Sequence, residues 1–174
     1  MTRAFRTADE LRDLVVDRFG SDRRPVALDR LSGGTKKGVY RLRLDDGHTV
    51  IVYVWADDEN YWPSARSVAD DPFTDATGAE LFASSHTALV GARVPVPELL
   101  LLDRDGRWLD ADVALVEDAG GETLEALLAR DRAAAAALLA ELGAALRRMH
   151  TTTGPRYGKV AAAQRSADFP QRSA

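Results

Sequence analysis

The stretch Leu31-Ser-Gly-Gly-Thr-Lys-Lys-Gly-Val-Tyr40, with Thr49-Val-Ile-Val-Tyr-Val-Trp55 behind it, decides the fold. It reads as a strand, a glycine-rich turn, a strand and a third strand. Gly33, Gly34 and Gly38 allow the backbone positive φ and a close approach to a ligand. Exposed backbone N–H groups together with Lys36 and Lys37 favour a negative ligand, phosphate being the obvious one. Glycine spacing is a weak signal, and the same residues also read as a plain β-hairpin with a soluble tip.

Working outward, Tyr40, Leu42 and Leu44 alternate with Arg41 and Arg43, the pattern of a half-buried strand. Asp45-Asp-Gly-His48 between two such runs is a hairpin turn. Along Thr49–Trp55, Ile51, Tyr53 and Trp55 share one face, and Val50, Val52 and Val54 the other. Upstream, Val26 to Leu31 is the first strand. Before it, Thr7 with Glu10 has capping-box spacing, and Leu11, Leu14, Val15 and Phe19 recur at helical period up to a stop at Gly20.

Downstream, residues 56–75 read as a long acidic loop with room for a short helical piece. A helix is expected from about Ala76 to Val90, with Leu81, Phe82, Ser85, Ala88 and Leu89 on one face and Gly91 as its stop. Val94-Pro-Val-Pro97 is extended. Glu98–Asp103 and Trp108–Glu117 are the fourth and fifth strands, and Asp118-Ala-Gly-Gly121 breaks the last one. A short helix over Glu122–Leu128, capped from Gly121 or Thr123, precedes a long alanine-rich helix that Asp131 caps and that runs to His150. The fold class is therefore α+β: a five-stranded antiparallel sheet with a flanking helix, then a hinge and a long helix. Residues 1–118 form one lobe, 119–158 the hinge and first helices of a second, and 159–174 a tail expected to be disordered.

The 174 residues carry a net charge of −4, which gives no bulk electrostatic reason for a nucleic-acid or acidic-membrane partner. There is no cysteine, so disulfides and thiolate chemistry are excluded, in keeping with a reducing cytoplasm. No run is apolar enough to span a bilayer, and no apolar run follows the first residues to suggest a signal peptide. Val39 stands where a Walker A loop needs its lysine. Gly-x-Ser-x-Gly and His-Glu-x-x-His are both absent. His48, His86 and His150 have no partner at metal-ligand spacing.

The order of elements resembles the N-terminal lobe of the protein-kinase-like fold, and more closely the aminoglycoside phosphotransferase family. The resemblance rests on Leu31-Ser-Gly-Gly34 through Gly38-Val-Tyr-Arg41, on Glu80 ahead of Gly91 and Val94-Pro-Val-Pro97, on Ala114-Leu-Val-Glu-Asp-Ala-Gly-Gly121, and on Leu142-Gly-Ala-Ala-Leu-Arg-Arg-Met-His150. It spans about residues 25 to 158. It implies ATP with Mg²⁺ and transfer of the γ-phosphoryl group to a small-molecule hydroxyl. By that resemblance Ser32, Gly33, Gly34, Lys36, Lys37 and Gly38 cover phosphate, and Val39, Ile51 and Val116 wall the base. The backbone of Glu117 and Ala119 meets the adenine edge, and Glu80 is the ion-pair glutamate.

Two departures qualify this. The family's His-Gly-Asp-x-x-x-x-Asn loop and its later metal-binding aspartate do not occur in these residues. Asp168-Phe-Pro170 does not replace them, because no such loop precedes it. Tyr53 occupies the third-strand position where the family usually has a phosphate-holding lysine. Lys36 or Lys37 could supply that cation from the loop, or both could be solvated. The expectation is thus a truncated or partial phosphotransferase, an isolated lobe inactive by itself. The alternative is a non-catalytic nucleotide-binding or protein-interaction module. Asp57, Asp58 and Glu59 are either a contact for a cationic acceptor or a solvated loop, and an uncovered lobe surface favours self-association.

Overall fold

In the computed structural model, residues 5–32, 36–60, 78–153 and 160 are described. The chain divides into two compact units, one of residues 1–83 and 97–118, the other of residues 84–96 and 119–174.

The first unit holds a five-stranded antiparallel sheet of strand order β1-β2-β3-β5-β4, made of β1 (Pro25–Arg30), β2 (Gly38–Leu44), β3 (Thr49–Trp55), β4 (Leu99–Asp103) and β5 (Asp112–Glu117). β3 has the limits its sequence predicts. Its β-branched residues suit a central position in the sheet, between β2 and β5. The β2–β3 hairpin closes through Leu44 N–H to the His48 carbonyl (2.8 Å), and Gly47 takes φ 86° at the turn. Register irregularities sit in the two edge strands, between Pro25 and Ala27 and between Leu99 and Leu101.

A 3₁₀ turn, Asp9–Leu11, leads into α1 (Arg12–Phe19), which ends at Gly20 with φ 94°. The Glu10 carboxylate accepts from the Thr7 N–H (2.6 Å) and hydroxyl (2.9 Å), and those bonds hold its carboxyl below the usual carboxylate range. Leu11, Leu14 and Val15 lie fully buried in one core with Tyr40, Leu42, Leu44, Val50, Val52, Val54, Val113 and Leu115. The alternation read from the sequence therefore assigns the inner face correctly. Each such side chain contributes about 1.5–3 kcal/mol by leaving water. Arg18 Nε also donates to the Leu100 carbonyl at 2.8 Å, which ties α1 to β4.

Three local details sharpen. Residues 57–59 form a 3₁₀ turn, and Glu59 inside it is buried. β5 begins at Asp112 and not Trp108, because the Asp103 carboxylate gathers the N–H groups of Asp105 (3.0 Å) and Arg107 (2.7 Å) into a longer turn. α2 (Ala79–Gly91) has Gly91 as its last residue, but its left-handed cap lies two residues further on. Arg93 takes the left-handed conformation (φ 56°), and Val94 N–H bonds the Leu89 carbonyl while Arg93 N–H bonds that of Val90, both at 2.9 Å. This is a Schellman ending with arginine in the usual glycine place.

In the second unit, α3 (Leu124–Arg130) is capped by Thr123, whose hydroxyl accepts from Ala126 N–H at 3.2 Å. α4 (Arg132–Thr151) is capped by Asp131, whose Oδ1 accepts from Ala133 N–H (3.0 Å) and Ala134 N–H (2.9 Å). Leu138, Leu139, Leu142, Leu146 and Met149 recur at helical spacing along α4 and are exposed. The expected tail lies outside the described residues apart from Val160. No described helix is long and apolar enough to cross a membrane.

Candidate functional site

The sheet register builds one face of the candidate site. Val39 pairs with Tyr53, and Tyr53 with Ala114; Arg41 pairs with Ile51, and Ile51 with Val116. Directly paired residues project to the same side, so Val39, Ile51, Tyr53 and Val116 share the face away from α1. Three of the apolar positions predicted to wall a base are thus brought together. Val116 and Ile51 are largely buried, and Val39 is half-buried. Arg41 shares this face and is held in a two-pronged ion pair with Asp118, Nε–Oδ2 2.7 Å and Nη2–Oδ1 3.2 Å. The carboxylate pushes the Arg41 guanidinium above its ordinary value.

At the loop edge of the face the two lysines separate. Lys36 is exposed. Lys37 is half-buried, with Nζ 3.8 Å from the centre of the Tyr53 ring, 5.2 Å from that of Trp55 and 5.4 Å from that of Phe82. The rings meet one another edge-on or tilted, Tyr53–Phe82 at 5.3 Å, Trp55–Phe82 at 5.6 Å and Tyr53–Trp55 at 5.9 Å. They form a cage whose π faces attract the ammonium. Burial holds Lys37 below the ordinary lysine value and raises the Tyr53 phenol. Lys37 is therefore not a solvated loop residue. Trp55 and Phe82 were not singled out as site residues; the spacing of Tyr53 and Trp55 was the one local clue to a shared aromatic patch.

Gly38 has a different role from the one its pattern suggests. It lies in β2 without positive φ. A Cβ there would stand 2.6 Å from Tyr40 Cε2 and 2.7 Å from Glu59 Cδ. Glu59 is enclosed, accepting from the Tyr40 hydroxyl and pairing with Arg30. Burial and the Glu59 bond raise the Tyr40 phenol. Glu59 thus faces inward, while Asp57 is exposed and Asp58 pairs with Arg6 at 3.6 Å.

Glu80, in the first turn of α2, lies 3.9 Å from Arg104, an exposed pair. At the strand end, Glu117 N–H bonds the Glu98 carbonyl at 2.9 Å, so that donor is not free for a base edge. Glu117 is exposed, and Ala119 opens the second unit. Ser32 is exposed, and Gly33 and Gly34 lie outside the described residues. Among the described residues no three His, Asp or Glu side chains converge as a metal site.

A search of curated proteins gives no significant match. A family model described as the phosphotransferase enzyme family matches residues 29–172, which takes in the sheet from the end of β1 onward, the loop, the caged lysine and the helices that follow. With its kinase-like α+β lobe, this chain belongs to the phosphotransferase enzyme family.

Proposed function

We propose that the chain is the nucleotide-holding part of an ATP-dependent phosphotransferase that acts on a hydroxyl of a small molecule. One observation carries this reading: Val39, Ile51 and Val116 stand in register on a single face at the edge of the glycine segment. An apolar wall beside a polar, cationic rim is the usual make-up of a small-ligand site. ATP supplies the γ-phosphoryl group. The chain's own residues bind and orient it: Val39, Ile51 and Val116 enclose the base, and the loop from Ser32 to Gly38 covers the phosphates. Glu80 is, by the family resemblance, the ion-pair glutamate, and among the described residues the cation nearest it is Arg104. By itself the chain binds without transferring, because its sequence holds no His-Gly-Asp loop to take the hydroxyl proton. The acceptor we favour is cationic, with Asp57 as the exposed acidic side chain available to it. A reducing cytoplasm suits the cysteine-free chain.

Calorimetric titration with a non-hydrolysable ATP analogue and Mg²⁺ tests the reading. Saturable binding is expected, with no phosphoryl transfer from ATP to an aminoglycoside. No binding at millimolar analogue overturns it. A second reading, a non-catalytic module that associates with a second copy, is favoured by the exposed Leu138, Leu142 and Leu146 of α4. Sedimentation as a monomer at every concentration removes that second reading.

A further inference from the structure

We infer that Lys37, held on the Tyr53–Trp55–Phe82 cage, is the phosphate-binding cation of this face. The inference rests on the nucleotide reading above and goes beyond it by choosing the residue and the device that presents it. Tyr53 brings no charge to the middle of β3. Lys37 restores one from the neighbouring loop, its Nζ lying 3.8 Å above the ring. The charge therefore sits over Tyr53, which pairs directly with Val39 on the face that Ile51 and Val116 share.

The energetics of Lys37 point to an anion. Taking an ammonium partly out of water costs several kcal/mol. Cation–π contacts return about 0.5–2 kcal/mol. Among the described residues no carboxylate lies within ion-pair distance of Lys37, whereas Arg30, Arg41, Arg104 and Arg107 all have one. The lowered proton affinity of Lys37 follows from that incomplete compensation. A phosphate oxygen would complete it with a charge-assisted hydrogen bond. The cage does what packing does for any preorganised site: it fixes a long, flexible side chain before the ligand arrives. Lys36, one residue earlier, is exposed and lacks such fixing.

Separating phosphate recognition from base recognition tests this. Adenosine, ADP and a non-hydrolysable ATP analogue are titrated against the parent chain, Lys37→Met and Lys37→Arg, with thermal melts of each to establish folding. We expect Lys37→Met to weaken the ATP analogue by about tenfold or more. Adenosine should stay within about twofold, since it offers no phosphate for the ammonium to meet. Lys37→Arg should recover part of the loss, and Trp55→Leu should weaken the analogue without touching adenosine. If the parent binds the analogue and Lys37→Met binds it equally well, the inference is wrong while the nucleotide reading stands. Equal losses for adenosine and the analogue would mean that Lys37 acts through the fold, which also overturns it. A parent that binds neither ligand takes down the nucleotide reading, and this inference with it.

Discussion

Gly38, Tyr40, Arg30 and Glu59 show how one residue's absence of a side chain can be a structural requirement. The Glu59 carboxylate is wholly enclosed and is satisfied by the Tyr40 hydroxyl and the Arg30 guanidinium. Removing one partner of such a pair costs about 3–5 kcal/mol, because a charge is left buried alone. Gly38 lies against both Tyr40 and Glu59 with no space for a methyl group. Neither neighbour can swing aside, since each is fixed by the other. Gly38→Ala should therefore destabilise the first unit by about 1–3 kcal/mol through overpacking, read as a lower midpoint in urea. An unchanged midpoint would show that Glu59 relocates freely. Gly47, with open space around its missing Cβ, is under no such constraint of room, only of its φ of 86°.

At the scale of elements, the caps carry the clearest local signals. Asp131 ends α3 through its N–H to the Leu127 carbonyl (2.7 Å) and starts α4 through Oδ1. Asp131→Ala should cost about 1 kcal/mol, seen as a lower helical melting midpoint, and Asp131→Asn should be nearly neutral. This cap was legible because aspartate followed by an alanine run is a short-range pattern. β3 was legible for a similar reason, being a run of β-branched and aromatic residues that follows Asp46-Gly47. The cap of α2 was not, since Arg93 in the left-handed region leaves no mark in composition, although Gly91 does end the helix. Glu59 was misread as part of a solvated acidic run because its partners lie 19 and 29 residues away. The cage was half legible: Tyr53 and Trp55 lie on one face by period, but Phe82 reaches them from another element. What the sequence could not show in these cases was contact between distant segments.

On the scale of the whole molecule, apolar burial is unevenly shared. Val50, Val52, Val54, Val113 and Leu115 in the first unit are fully buried. Among the described residues of the second unit, Ala135 alone is buried. Local stability follows such burial. Native-state hydrogen exchange should find the amides of β3 and β5 exchanging slowest and those of α3 and α4 fastest; equal protection in both would contradict the uneven core. The glycine segment gains from its place in the better-protected unit. Leu31 N–H bonds the Val39 carbonyl at 2.8 Å on one side, and Gly38 is wedged against Glu59 on the other. The loop between these stems has its ends already joined, because folding has met the entropy of bringing them together. Folding and ligand affinity are thereby linked through the stems: a change that loosens Glu59 shifts the stem that carries Lys37, and weakens binding without touching any atom the ligand meets.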